Sequence, residues 1–159
     1  MKSMLLASAI LLFSFSLFAS EENISEAQVK GLVEKVCAEV KGAADPTTIF
    51  KKITAGEHPY KDKGNEALYV FVYNDKVDMI AHPKASLVGK NYKGKPDVKG
   101  KNFRDEIVDG ALKHHTGWVD YMYQKPGETG IYPKTTYYSL CPNKGVNYIV
   151  TAGKYADKK

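Results

Sequence analysis

GWVDYMYQKPGETGIYPKTTYY, residues 117–138, is the stretch on which the fold turns. It sets a tryptophan, a series of tyrosines and two lysines into a pair of strand-like runs joined by a Pro/Gly loop. Side chains alternate along a strand, so Trp118, Asp120 and Met122 share one face and Val119, Tyr121 and Tyr123 the other. A face of this kind buries its rings while presenting hydroxyls and an indole N–H. Aromatic residues in strands mostly serve packing, and a plain aromatic core would give the same pattern. Lys125 and Lys134 at the two ends of the loop favour a lining role, because aromatic walls beside one or two cations suit a small anion or carboxylate.

Upstream, Ser25-Glu26-Ala27-Gln28 has the form of a capping box, and Val29, Leu32, Val33, Val36, Cys37 and Val40 follow at helical spacing up to Gly42. Asp45-Pro46 predicts the start of a shorter helix through Ile49, Phe50 and Ile53 that stops near Gly56. Residues 68–73 and 77–81 are apolar runs separated by Asn74-Asp75-Lys76, which reads as a hairpin. After His82-Pro83 the segment 84–101 is rich in Gly, Lys and Pro and has no usable period; a loop that long in a compact domain is commonly functional or a lid. Phe103, Ile107, Val108, Ala111 and Leu112 mark a third helix ending at His114 and His115. Strands are then expected at 118–123, 135–141 and 147–155, with Asn143-Lys144-Gly145 turning the last pair.

The order helix, helix, strand, strand, helix, strand, strand, strand implies an α+β domain: one five-stranded antiparallel sheet with a long N-terminal helix and flanking helices. Residues 1–20 carry one early cation, Lys2, then an apolar run, then Ala19 and Ser20 ahead of Glu21 and Glu22. That is the form of a secretory signal peptide, too short and too serine-rich for a membrane span of ~20 residues, and cleavage is expected after Ala19. Residues 22–159 are then a single exported domain, periplasmic or secreted. Its formal charge of +5 falls to +4 when Lys2 leaves. Lysines concentrate in 84–101, where they form a solvated surface or a docking face for an acidic partner or envelope polymer. Nucleic acid is not an expected partner in that compartment.

Cys37 and Cys141 are the only two cysteines, in a compartment where disulfides form. A bridge would staple the first helix to the sheet. Two separately buried thiols would look the same in sequence.

Four blocks, LYVFVYNDKVDMIAHPKASLVGKN (68–91), DVKGKNFRDEIVDGALKHHTGWVDYMYQKPG (97–127), YPKTTYY (132–138) and YIVTAGKY (148–155), resemble the single Cache domain family, type 2, in order and spacing. The resemblance implies a PAS-like extracytoplasmic sensor module that binds small ligands, short carboxylates among them. It also implies that the ligand lies between the sheet and the loop after the second strand. On that basis His82, Pro83, Trp118, Tyr121, Tyr123, Lys134 and Tyr137 are the candidate ligand-binding residues. Lys134 would supply the charge match, while His82, the tyrosine hydroxyls and the Trp118 N–H would orient the ligand.

Plainer roles exist for each. His82 could cap the end of its strand, Lys134 could be a solvated loop cation and Trp118 could be core. Trp118 and Tyr121 alternate, so both reach one pocket only if the strand twists or bulges near Gly117. Asp97 and Arg104 are expected to support the long loop, and Gly153 to allow close backbone approach in the last strand.

The chain stops four residues after Tyr155 with no apolar helix following, so it resembles a freestanding Cache protein that would need a membrane receptor or kinase partner to signal. A homodimer through the N-terminal helix is a further expectation. The sequence holds no nucleophile elbow, HExxH or phosphate-binding glycine loop, so no catalytic residue, cofactor or metal site is assigned.

Overall fold

The computed structural model describes residues 23–156; the expected signal peptide (1–19) lies outside the described residues. Helix α1 (Glu26–Gly42) opens on the capping box, with Gln28 N donating to Ser25 Oγ at 3.2 Å and Ser25 N to Gln28 Oε1 at 2.7 Å. Its buried stripe is Val29, Val33, Val36, Cys37 and Val40. Helix α2 (Thr47–Thr54) follows Asp45, whose carboxylate accepts from Thr47 N at 2.9 Å. Then come β1 (Val70–Asn74), β2 (Met79–Ala81), a short 3-10 turn, α3 (Phe103–His114), β3 (Thr116–Gln124), β4 (Ile131–Asn143) and β5 (Val146–Tyr155).

The strands form one antiparallel sheet in the order β2-β1-β5-β4-β3. Alternation divides each strand between two cores. Val70, Val72, Tyr137, Cys141, Val150 and Ala152 pack with α1, whereas Tyr69, Phe71, Tyr73, Tyr121, Tyr138 and Ile149 pack with α3 and the loop after β2. Cys37 of α1 and Cys141 of β4 are bridged, which resolves the choice between a staple and two buried thiols. Lys144 and Gly145, at φ 47° and 82°, turn β4 into β5 in the left-handed backbone that two-residue hairpins require.

Strand β4 starts earlier than its sequence implies. Pro133 reads as a breaker, yet its carbonyl faces β5 and accepts from Ala156 N at 2.9 Å. N–H and C=O of one residue point the same way in a strand, so the missing N–H falls where β5 has run out of partners. Lys134 therefore sits within β4, opposite Tyr121 on one side and Tyr155 on the other.

Candidate functional site

Strands β3 and β4 pair in continuous register from Thr116↔Ser139 to Gln124↔Ile131, with no bulge at Gly117. Alternation is therefore unbroken, and Trp118 and Tyr121 lie on opposite faces. Trp118 pairs with Tyr137, their ring centroids 5.0 Å apart, and Tyr137 belongs to the core beneath α1. Both residues are thus removed from the candidate site. Trp118 remains 36% exposed on that side of the sheet.

The opposite face gathers the other candidates. A small cavity of about 10 Å³, room for about one water molecule, is bounded by Lys134, His82, Tyr121 and Tyr123. Tyr69, Phe71, Tyr73, Met79 and Phe103 complete it. None of its lining residues is an Asp or Glu. The three β1-side rings were legible in principle: Tyr69, Phe71 and Tyr73 alternate in YVFVY, the period-two signal that marks one face of a strand.

Lys134 is 2% exposed, and its Nζ donates to the Tyr69 hydroxyl at 2.8 Å. The ammonium lies 4.2 Å from the Tyr69 ring centroid and 4.8 Å from that of Tyr155. Ring faces attract a cation but replace its hydration only in part. Burial accordingly pulls the Lys134 amine down to about 7. Gly153 on β5 admits the lysine stem: a Cβ there would meet Thr136 Oγ1 at 2.5 Å, the Thr135 carbonyl at 2.7 Å and Lys134 Cε at 2.8 Å. The close approach expected of Gly153 is thus onto the lysine itself.

His82, at the end of β2, accepts from Lys84 N through Nδ1 at 2.8 Å. The capping role is thus met, and an accepting Nδ1 leaves the proton on Nε2. Burial, then the nearby Lys134 charge, lower the His82 imidazole to about 3, so it is neutral at ordinary pH. Tyr121 stacks on Phe103 with centroids 3.8 Å apart and hydrogen-bonds Thr136 Oγ1 at 2.9 Å, which fixes its ring.

A larger cleft of about 620 Å³ opens outside this cavity. Pro83, Lys84, Lys61, Glu66 and the β3–β4 loop line it, so Pro83 borders the cleft rather than the inner cavity. Lys125 pairs there with Glu128, and Lys61 with Glu66 at 3.3 Å. Tyr69, His82 and Tyr123 line both spaces and form the wall between them.

The 84–101 loop crosses this face tied at both sheet edges. Gly89 N donates to the Met79 carbonyl at 2.8 Å and Tyr92 N to the Val77 carbonyl at 3.0 Å on the β2 side. On the β3 side, Asp97 accepts from Met122 N at 2.8 Å and from the backbone of Lys99 and Lys101. Arg104 reaches under the loop, donating to the Lys95 carbonyl at 3.1 Å with its guanidinium 4.2 Å from the Phe103 ring centroid. Asp97 and Arg104 therefore support the loop, as their positions imply.

A Cache domain family model matches residues 47–158. The chain belongs to the Cache domain family. Among solved structures, the Cache chain is 27% identical to the periplasmic sensor domain of a chemotaxis protein, with TM-score 0.60 over 80% of this chain and 88% of that one. Two others share the fold. One is a Cache chemosensory domain described for its carboxylic acid recognition (21% identity, TM-score 0.61, 80% and 86% covered). The other is a methyl-accepting chemotaxis protein from Vibrio parahaemolyticus (20% identity, TM-score 0.64, 82% and 87% covered). No curated protein matches the Cache chain in sequence. Among the described residues, no helix is long and apolar enough to cross a membrane.

Proposed function

We propose that this Cache domain is an exported, periplasmic receptor module for a small organic acid, taken as its carboxylate between Lys134 and His82. One observation carries the reading: a buried lysine that no carboxylate of the chain accompanies in its cavity. Burying a charge without a counter-ion is costly, and an incoming carboxylate would relieve that cost with charge-assisted hydrogen bonds. His82 Nε2–H is the second donor, and the rings of Tyr69, Tyr121 and Tyr123 limit the body of the ligand to a few carbons. Binding requires the Tyr69, His82 and Tyr123 wall to part, since the inner cavity holds only about one water molecule. The outer cleft is the approach. A membrane receptor or kinase would read the bound state, and an aromatic hydroxyl network running from Tyr69 to Tyr155 and the Gln124 carbonyl connects the cavity to the sheet's end.

Thermal-shift titration with acetate, lactate, pyruvate and a panel of amines tests this. Carboxylates raise the melting temperature with occupancy and amines do not. A flat response to every acid overturns the reading.

A further inference from the structure

Lys134 combines three features that a purely electrostatic carboxylate site does not need together. Its amine is enclosed by aromatic rings. A phenol oxygen stands within hydrogen-bond distance of it, at 2.8 Å. Three of the side chains around it, Tyr69, His82 and Tyr123, also line the outer cleft. A lysine desolvated in an apolar pocket is the form in which an amine becomes a nucleophile toward carbonyl carbon. We propose that Lys134 forms a reversible imine with a small α-keto acid held in this cavity, so that the domain distinguishes keto acids from hydroxy acids and simple acids by covalent capture. This rests on the carboxylate reading of the same site.

The step balances without any further reagent. The neutral Nζ lone pair attacks the ketone carbon, a C–N bond forms, and the carbonyl electron pair moves to oxygen. The Tyr69 hydroxyl relays the proton from nitrogen to that oxygen. The carbinolamine then loses the oxygen as water, leaving C=N, and one proton taken up from solvent makes the iminium. The new cation sits one bond from the ligand's own carboxylate, so the two charges pair inside the cavity and His82 Nε2–H is left to hold a carboxylate oxygen. The burial that lowers the Lys134 amine to about 7 leaves a usable neutral fraction at ordinary pH, whereas a solvent-exposed lysine is almost wholly protonated.

The test treats the intact exported protein with pyruvate and cyanoborohydride, then measures whole-protein and peptide masses. The expected result is a single adduct, heavier by the acid less one oxygen atom, on the peptide containing Lys134. Saturating lactate, which has the carboxylate and a hydroxyl in place of the ketone, suppresses it. Trapping spread evenly over exposed lysines, or a Lys134 adduct that lactate leaves unchanged, overturns the proposal. A melting shift with lactate and no Lys134 adduct with pyruvate also overturns the imine, while leaving the carboxylate site standing.

Discussion

Lys134 Nζ and the Tyr69 hydroxyl lie 2.8 Å apart on the α3-side face of the sheet, and Gly153 is the residue whose missing side chain makes room for the lysine to get there. The position and desolvation of the amine are thus set by neighbouring strands of one sheet: Tyr69 just before β1, Gly153 on β5, Lys134 on β4.

Replacing Lys134 by methionine separates stability from binding. The buried ammonium costs the ligand-free fold stability, so Lys134→Met is expected to raise it by about 1–3 kcal/mol at neutral pH. The same change removes a charge-assisted donor, and affinity for acetate or lactate falls by about ten- to a hundredfold. Urea denaturation and calorimetric titration read the two effects. A destabilised variant that binds normally contradicts both.

The lowered groups set the pH profile. Between about 7, the folded value for Lys134, and its ordinary 10.5, the unfolded chain holds a proton that the folded chain lacks, so ligand-free stability rises with pH across that window. His82 works on the acid side: its folded value of about 3 lies below the ordinary 6.5, so stability is lost as pH falls between them. His82→Gln flattens the acid limb. Carboxylate binding raises the Lys134 value again, so affinity is level below about 7 and declines above it, with proton uptake visible in calorimetry across buffers of different ionisation enthalpy.

Local signals placed most elements. The Ser25–Gln28 box starts α1 at its observed residue, and alternation correctly divides Val119, Tyr121 and Tyr123 from Trp118. What local signals could not supply is the identity of the covering helix on each face. Both faces are aromatic, and only the tertiary positions of α1 and α3 tell which one encloses a cavity. Gly117 carries the same lesson. It suggests a bulge that would bring Trp118 and Tyr121 together, but its role is to leave space for the Tyr138 ring, which a Cβ would strike. Pro133 hides the start of β4 because its unpaired nitrogen is harmless only beyond the end of β5.

Trp118, the single tryptophan, packs against Tyr137 on the face opposite the proposed ligand site. Its emission should change little when a carboxylate saturates the domain, and Trp118→Phe should leave affinity within about twofold, as expected for a residue sharing no contacts with the site. A large ligand-dependent change in emission would place the ligand under α1 instead.

The Cys37–Cys141 bridge also lies on the α1 face and closes a separation of 104 residues. Constraining the unfolded chain over a loop of that size is worth about 2–5 kcal/mol. Reduction, or a double serine variant, should lower the urea midpoint accordingly while carboxylate affinity is retained in the folded fraction. Loss of binding without loss of stability would connect the bridge to the pocket.

Two glycine-to-alanine changes make opposite predictions. Gly31 is an exposed position within α1, where an added Cβ meets nothing within 4 Å, so Gly31→Ala should stabilise by about 0.5–1 kcal/mol through helix propensity and leave binding alone. Gly153→Ala places its methyl against Thr136 Oγ1, the Thr135 carbonyl and Lys134 Cε together. Backbone on one side and a packed stem on the other cannot all move, and overpacking of this kind costs about 1–3 kcal/mol. The side chain free to yield is Lys134, so affinity should fall as well, and the pH midpoint of binding should shift upward as the displaced amine regains water. Gly153→Ala with unchanged affinity and unchanged pH midpoint would mean that Lys134 is not held where the ligand binds.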